Sequence, residues 1–245
     1  LTANPTTLTL DAQPVDFTWK ATGPLSATLP ALGTSSHQVS LTVSDACGNL
    51  ARKSVTISGT AATRFADMQK HWASTYTTPL NDKGIISGVT ANGKTNFLPD
   101  QKITRGDFAL MTANWLGLDL SRYAGVSLPY ADAASIPKWD ENAVKALYAE
   151  GIMQGSKAGD GSLRANAKAS ITRAEAMTIL GRILPQGYPQ ASLTAFSDAA
   201  SVPSWSKDYV ATLVELKVVG GSNGKLDPNA SVTRAEVAKM LFTLW

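Results

Sequence analysis

The chain has little of several residue types on which common chemistries depend. Its 245 residues include one cysteine, Cys47, and two histidines, His37 and His71. A single cysteine excludes an internal disulfide and any zinc cluster built on several cysteines. Cys47 lies in a turn sequence and no histidine is placed beside it, so we expect it to have no nucleophilic role.

Long hydrophobic runs and long charged runs are also missing. No apolar stretch approaches the roughly twenty residues that a membrane-spanning helix requires, so we predict no membrane insertion. The formal net charge is +3, which permits an anionic partner, but lysine and arginine form no run. Nucleic-acid arms are marked by such runs, so we predict no nucleic-acid partner.

Motifs for dedicated metal sites are absent from the sequence. It has no His-Glu-x-x-His and no complete EF-hand pattern. The paired carboxylates of a glycosidase would have to come from acidic residues that recur periodically, and no copy has a distinct acid or base neighbour. We therefore predict a protein that is not an enzyme and uses no cofactor or metal.

What the sequence does contain is a threefold repeat. Each copy opens with an aromatic-x-Asp…Trp segment, and the copies begin at Phe65, Tyr130 and Phe196, 65 and 66 residues apart. The residues repeated in these openings are Asp67 with Trp72, Asp132 with Trp139, and Asp198 with Trp205. Each copy continues with a glycine-containing stretch, at 84–88, 151–155 and 216–221, and closes with Thr104-Arg105-Gly106-Asp107, Thr172-Arg173-Ala174-Glu175 or Thr233-Arg234-Ala235-Glu236.

These three motifs, in this order and in three copies, resemble the S-layer homology family over roughly residues 64–245. The resemblance implies an extracellular protein of the cell surface or S-layer. It also implies non-covalent anchoring to the bacterial cell wall through an anionic, pyruvylated secondary cell-wall polysaccharide. The polysaccharide would bind in grooves to which two neighbouring repeats contribute.

The sequence predicts a multidomain chain. Residues 1–60 alternate apolar and polar residues at 15–19, 39–43 and 54–57, with a turn cluster at 44–49, and resemble a partial or minimal immunoglobulin-like or polycystic-kidney-disease-like β-sandwich. Residues 61–245 hold the repeats, at about 64–122, 128–186 and 194–245. Helical periodicity at 142–149 and 208–214 predicts helix-loop-helix repeats, and the resemblance implies an all-α, pseudo-threefold trefoil.

The closing tetrapeptides predict helix starts. Threonine at the N-cap with glutamate three residues later forms a capping box, which is worth about 1 kcal/mol. Structural capping is therefore predicted for Thr104, Thr172, Glu175, Thr233 and Glu236.

The arginines of the same tetrapeptides are not explained by capping, because a cation at the first helical position opposes the helix dipole. Arg105, Arg173 and Arg234 could join free amides in an anion site. They could equally form salt bridges to a neighbouring carboxylate, for instance the aspartate of the preceding repeat. The resemblance favours the first role, because it implies that this arginine holds the pyruvate ketal of the polysaccharide.

Other repeated positions are candidates for polysaccharide binding, each with a structural alternative. The loop residues offer backbone amides and hydroxyls, or merely end a helix. The aspartates could accept sugar hydroxyls or cap helices, and the tryptophans could stack on sugars, although a repeated tryptophan more often anchors a core. These candidates are Gly88, Gly155, Ser156, Gly221, Ser222, Asp67, Asp132, Asp198, Trp72, Trp139 and Trp205.

The first repeat departs from the pattern, because Gly106 and Asp107 replace alanine and glutamate. The glycine lowers helix propensity and the aspartate shortens the cap, so we predict that Arg173 and Arg234 matter more for the ligand than Arg105. An alternative function is protein–protein assembly with copies of itself in a surface lattice or filament. In that case the arginines would serve in salt bridges and recognise no glycan.

Overall fold

The computed structural model describes residues 4–18, 36–58, 64–185 and 187–245. The chain divides into two compact units, Leu1–Ala62 and Thr63–Trp245. The first unit contains strands β1 (Asn4–Leu10), β2 (Gln13–Pro14), β3 (Ser36–Ser44) and β4 (Leu50–Ser58). They form an antiparallel sheet in the order β2-β1-β3-β4.

Two of the three predicted strands, 39–43 and 54–57, lie within β3 and β4. The predicted turn joins them, and Asp45 stabilises it because its Oδ1 accepts the amides of Cys47 and Asn49, each at 2.9 Å. Residues 15–18 of the remaining prediction follow β2 and belong to none of the described strands, while Trp19 lies outside the described residues. Pro14 at the end of β2 has no amide to continue a ladder.

The predicted immunoglobulin-like sandwich is wrong. Residues 4–18 and 36–58 form one sheet, and no second sheet is present among them. A sandwich needs two sheets that cover each other's inner faces. In β4, Leu50 is 70% exposed and Val55 is 49% exposed, so neither is covered by a second layer.

The second unit contains two α-helices in each repeat, within the part of the chain that the structure describes. These are α1 (Ser74–Asp82), α2 (Arg105–Trp115), α3 (Lys138–Ala149), α4 (Arg173–Ile183), α5 (Lys207–Glu215) and α6 (Arg234–Thr243). The helical segments predicted at 142–149 and 208–214 lie within α3 and α5.

The prediction that the repeats are all-α is also wrong, because they also contain strands. The hairpins β5 (Val89–Ala91)–β6 (Lys94–Asn96) and β7 (Ser156–Lys157)–β8 (Leu163–Arg164) separate the helices of the first two repeats. Asn92 and Gly93 have φ of 51° and 72°, which a two-residue hairpin turn requires. Short 3-10 helices lie at Leu120–Tyr123, Ala133–Ser135, Leu193–Ala195 and Ala199–Ser201, so the architecture is mixed α/β.

A ring of backbone hydrogen bonds joins the three repeats. The amide of Ile103 donates to the carbonyl of Val232, Val232 donates to Ile171, and Ile171 donates to Ile103, each at 3.1 Å. All three side chains are buried. Each residue directly precedes the threonine that caps the second helix of its repeat, so the ring brings the three helix starts together.

The helices pack across the repeat boundaries. The second helix of each repeat packs on the first helix of the next, as α2 does on α3, α4 on α5, and α6 on α1. The core is one cluster that runs through all three repeats, with Phe65, Phe108, Leu147, Met177 and Leu241 among its buried members. A single repeat could not cover these apolar faces alone, so the repeats depend on one another.

Candidate functional site

The three arginines occupy the first turns of α2, α4 and α6. Thr172 and Thr233 begin α4 and α6 with capping boxes, in which Glu175 and Glu236 bond back to the threonine amides. At the start of α2 the Thr104 hydroxyl accepts the amide of Asp107 and donates to its carboxylate. The helix therefore forms despite Gly106, and the three arginine side chains project from equivalent positions.

Each arginine reaches into the following repeat. Its Nε donates to a main-chain carbonyl in the loop that precedes the next capped helix, at 2.8 or 2.9 Å. The pairs are Arg105 with Ala165, Arg173 with Leu226, and Arg234 with Phe97. Every arginine therefore lies at a boundary between two repeats, and the last one closes the ring by contacting the first repeat.

Two of the arginines also form ion pairs across these boundaries. Arg105 Nη1 lies 2.9 Å from Glu175, and Arg173 Nη1 lies 2.6 Å from Glu236. The arginine side chains are only 6% and 13% exposed, whereas the glutamates are 26% and 33% exposed, so each pair is buried mainly on its arginine side. The sequence offered a salt bridge as one alternative, but with the aspartate of the preceding repeat. The observed partner is the capping glutamate of the following repeat.

Arg234 differs from the other two arginines. Within the described residues it has no carboxylate at ion-pair distance, and its Nη2 donates to the carbonyl of Ser87 at 2.8 Å. Its guanidinium lies 4.7 Å from the ring centre of Phe97. Burial lowers the pKa of Arg234, although the nearby carboxylates of Asp107 and Asp67 oppose that shift. The residue at the position of the capping glutamate is here Asp107, whose side chain is one methylene shorter and whose carboxylate accepts a hydrogen bond from Thr104. It therefore does not pair with Arg234 as Glu175 and Glu236 pair with the other two arginines.

Groove A is a cavity of about 390 Å³ built from all three repeats. Arg105 comes from the first repeat, the loop 153–157 and helix α4 come from the second, and Trp205 comes from the third. Its polar walls combine loop residues with charged side chains, namely Arg105, Gly155, Ser156, Lys157, Glu175 and Arg182. Three cations face one carboxylate in this lining, so the groove favours an anionic ligand.

Groove B is the matching cavity at the next boundary, about 320 Å³ in volume. Trp72 of the first repeat and Arg173 of the second meet the loop 218–222 and helix α6 of the third. Its charged lining residues are Lys102, Arg173, Asp227, Glu236 and Lys239. Gly221 and Ser222 also line groove B, as Gly155 and Ser156 line groove A, so these four predicted site residues lie beside an arginine.

The predicted site glycines occupy positions where a side chain does not fit. A Cβ at Gly88 would lie 2.5 Å from the carbonyl of Asn96, and one at Gly221 would lie 2.5 Å from the carbonyl of Lys225. Gly155 meets the ring of Tyr130 equally closely. Each glycine lets the opening aromatic ring of its repeat pack against the loop. Gly88 lines neither groove A nor groove B.

The repeated aspartates hold the loops that carry the arginine-binding carbonyls. Both carboxylate oxygens of each one accept a main-chain amide at 2.7 to 2.9 Å. Asp67 accepts from Phe97 and Leu98, Asp132 from Ala165 and Asn166, and Asp198 from Leu226 and Asp227. The second residue of each pair has φ between 49° and 58°. The aspartates therefore fix a strained turn, and their role as sugar ligands stays a prediction.

Replacing Asp198 with alanine is expected to lower the free energy of unfolding by about 2 kcal/mol, because two amides lose a charged acceptor. Burial raises the pKa of Asp198, but the hydrogen bonds from Leu226 and Asp227 outweigh it, so the pKa lies below its ordinary value. Urea denaturation at pH 7 measures the loss. Asp208→Ala is the control, because Asp208 is exposed in the same repeat. Equal losses in the two variants would contradict this role.

The three tryptophans are not core anchors, so that alternative is wrong. Trp72, Trp139 and Trp205 are 53%, 69% and 55% exposed. Trp205 lines groove A and Trp72 lines groove B, each facing the arginine of another repeat. Exposed indole faces beside a polar cleft suit stacking against a sugar ring.

Several groove residues were not identified from the sequence. Arg182 on α4 lines groove A and donates to the carbonyl of Ile152, and Lys102 lines groove B and donates to that of Ser231. Lys239 on α6 also lines groove B. Lys102 stands two residues before the capping threonine, which is a usable signal, but Arg182 and Lys239 have no counterparts in the repeat pattern.

Among the described residues, no group of three or more histidine, cysteine, aspartate or glutamate side chains is arranged to hold a metal ion. Cys47 is exposed and carries a free thiol. None of the described helices has the length and apolar character needed to cross a membrane.

Comparison with known proteins agrees with the repeat structure. The profile of the S-layer homology domain matches residues 64–109, 129–177 and 195–238, which together exceed half of the chain. An amylopullulanase of Thermoanaerobacterium thermosulfurigenes is 32% identical over 186 residues, which are 74% of this chain and 9% of that protein. The exoglucanase XynX of Acetivibrio thermocellus is 30% identical over 186 residues, covering 74% of this chain and 16% of that protein.

A third relative is the surface-layer 125 kDa protein of Lysinibacillus sphaericus, 34% identical over 163 residues, or 65% of this chain and 13% of that protein. The chain thus spans a small fraction of the length of these relatives, and the matches transfer no enzymatic activity to it. What the enzymes and the surface-layer protein share with the chain is the repeat region. The chain therefore belongs to the S-layer homology family, whose repeats anchor proteins to the cell wall, and its place is the cell surface.

Proposed function

We propose that grooves A and B bind an anionic, pyruvylated polysaccharide of the cell wall and so anchor a larger surface protein. The observation that carries the proposal is the composition of the grooves. Each combines a largely buried arginine, further cations, a glycine-containing loop and an exposed tryptophan contributed by a different repeat. Cations suit the carboxylate of a ketal, and the indole suits the apolar face of a sugar.

The Arg–Glu pairs give the grooves a fixed geometry. Arg105 and Arg173 are each held by a main-chain carbonyl and by the capping glutamate of the next repeat. A guanidinium that is already oriented loses little side-chain entropy when a ligand arrives. The same glutamate reduces the net charge, so the ligand carboxylate depends on the neighbouring lysines and loop amides as well.

Arg234 contributes to this function in a different way. No described carboxylate lies at ion-pair distance from it, so its charge is not neutralised by a capping glutamate as the charges of Arg105 and Arg173 are. Arg105 is the most enclosed of the three arginines, because its side chain is 6% exposed against 13% for Arg173, and Arg234 is only partly buried. These differences support the ranking in which Arg173 and Arg234 matter more for the ligand than Arg105.

The experiment is co-sedimentation of the chain with protein-free cell-wall sacculi from the source organism, before and after mild acid removes the ketal. We expect binding to disappear with the ketal. The double variant Arg173→Lys/Arg234→Lys should bind about tenfold more weakly, because lysine keeps the charge but loses the bidentate fork. Arg122→Lys is the matched control, since Arg122 is 81% exposed and lies outside both grooves.

Three results would count against the proposal. Binding that survives removal of the ketal would exclude recognition of the anion. An equal loss in Arg105→Lys alone would contradict the ranking of the arginines. Sedimentation of the chain without sacculi would support the alternative function, assembly with copies of itself, and thermal unfolding of each variant separates lost binding from lost folding.

A further inference from the structure

Another cavity, separate from grooves A and B and called the second cavity below, shares Trp205 with groove A. It has a volume of about 320 Å³ and lies between the end of α4 with the loop that follows it and the first half of α5. Its lining includes Gly181, Tyr188, Gln190, Trp205, Asp208 and Tyr209. The volume is at the lower end of the range for small-molecule sites, which suits a single sugar residue. Arg182, whose guanidinium lies 5.9 Å from the ring centre of Tyr209, lines groove A next to it.

The cavity offers the two kinds of group that bind sugars. Trp205 and Tyr188 are 55% and 41% exposed, so their ring faces are open to a ligand. The side chains of Gln190 and Asp208 line the same cavity and make no hydrogen bond to other described residues. Aromatic faces beside unused amide and carboxylate groups provide stacking surfaces and hydroxyl partners together.

The cavity depends on residues that differ between the repeats. A Cβ at Gly181 would lie 2.7 Å from the Cβ of Tyr209, so glycine is needed for Tyr209 to pack there. At the matching boundary of the third and first repeats, Phe242 and Tyr76 occupy these positions, with ring centres 5.3 Å apart. The boundary of the first and second repeats has Ala113 and Ala143 there. The combination of glycine and tyrosine, Gly181 with Tyr209, therefore occurs only at the boundary of the second and third repeats, beside groove A.

The charges of the two neighbouring sites differ. Groove A has three cations in its lining, whereas the described lining of the second cavity contains Asp208 and no lysine or arginine. An anionic sugar would be repelled by Asp208, but a neutral sugar could donate hydroxyls to it. We propose that this cavity is a second subsite, which binds a neutral sugar residue of the polysaccharide whose anionic residue lies in groove A.

This inference rests on the proposed function, and calorimetry can test the two separately. The probes are two fragments purified from the wall polymer of the source organism, the ketal-bearing terminal monosaccharide and a trisaccharide that ends in it. The wild-type chain should bind the trisaccharide about tenfold more tightly than the monosaccharide, because of the added stacking contact. Tyr188→Ala should abolish this gain and leave the affinity for the monosaccharide unchanged.

A second variant and a control guard against loss of folding. Asp208→Asn, on the exposed surface of α5, should reduce the same gain through a different group. Trp245→Ala is the control, because Trp245 is an equally exposed aromatic residue, at 58%, that does not line the cavity. It should retain the full gain for the trisaccharide.

Each remaining outcome decides between the two claims. Equal affinity for both fragments in the wild type, or an undiminished gain in Tyr188→Ala, would overturn the subsite while leaving the ketal-dependent groove intact. If neither fragment binds through the ketal, the proposed function fails. The subsite then stands only if the trisaccharide without its ketal still binds and Tyr188→Ala abolishes that binding, and it is overturned otherwise.

Discussion

Replacing Asp140 with serine is expected to raise the free energy of unfolding at pH 8 by about 2–4 kcal/mol. Asp140 lies in the first turn of α3 and is 1% exposed, and neither carboxylate oxygen has a hydrogen-bond partner among the described residues. An ionised carboxylate in such a place is costly. At the matching position of the third repeat, the buried Ser206 donates its hydroxyl to the carbonyl of Pro203 at 2.9 Å, so serine is already accommodated there.

The effect should depend on pH in a defined direction. Burial, and to a smaller extent the carboxylate of Asp107, raises the pKa of Asp140 to about 7. Between about pH 4 and pH 7 the folded chain keeps the proton that the unfolded chain has lost, so wild-type stability falls as pH rises through this window. Above pH 7 the full cost remains. Asp140→Ser removes this contribution, so the two stability curves should converge near pH 4.

Chemical denaturation at several pH values between 4 and 8 measures the difference. Asp208→Ser serves as the control, because Asp208 is an exposed carboxylate in the first turn of α5. It should not change the pH profile appreciably. A difference between Asp140→Ser and the wild type that stays constant from pH 4 to pH 8 would show that the carboxyl does not titrate as the burial requires.

Replacing Gly106 with alanine is expected to lower the free energy of unfolding by about 3 kcal/mol, although alanine is the better helix former by about 1 kcal/mol. A Cβ at Gly106 would lie 2.8 Å from the Cγ of Asp140 and still closer to its Oδ2. The carboxylate is enclosed on other sides, so it cannot move away freely. Overpacking of this kind in a buried contact outweighs the gain in helix propensity.

The same substitution should become favourable when Asp140 is small. In the Asp140→Ser background, we expect Gly106→Ala to stabilise the chain by about 1 kcal/mol, the ordinary gain in helix propensity. The other two boundaries already have alanine facing a small residue, because the positions of Gly106 and Asp140 are taken by Ala174 and Ser206 at one and by Ala235 and Ala73 at the other. A double-mutant cycle measured by urea denaturation gives the coupling. Additive effects of the two substitutions would exclude the contact as the reason for Gly106.

The helix starts were predictable from the sequence because they depend on local interactions. Thr172 with Glu175 and Thr233 with Glu236 lie three residues apart, and capping boxes form there. The regular helical periodicity at 142–149 and 208–214 was likewise sufficient to place α3 and α5. Helix starts of this kind depend only on residues within about one helical turn of each other, so residue spacing and backbone hydrogen bonding are enough to predict them.

The errors came from features that depend on residues distant in the chain. Alternation at 15–19 predicted a strand, but residues 15–18 lie outside the described strands, and the sheet of the first unit gains no second layer among the described residues. From the sequence alone, Gly106 was interpreted only as a residue that weakens the helix. In the structure, its lack of a side chain makes room for Asp140. Neither outcome is visible without knowing which surfaces pack together.

The sequence by itself determined the threefold repeat, the helix caps and the positions of the candidate arginines, since each follows from a short motif. Only the tertiary structure decided what those arginines contact. Arg105 and Arg173 meet the capping glutamates of the following repeats, while Arg234 meets the carbonyl of Ser87, 147 residues away in the chain. The partners are set by the ring of repeats and by the length of one side chain, because Asp107 lacks the methylene that Glu175 and Glu236 have.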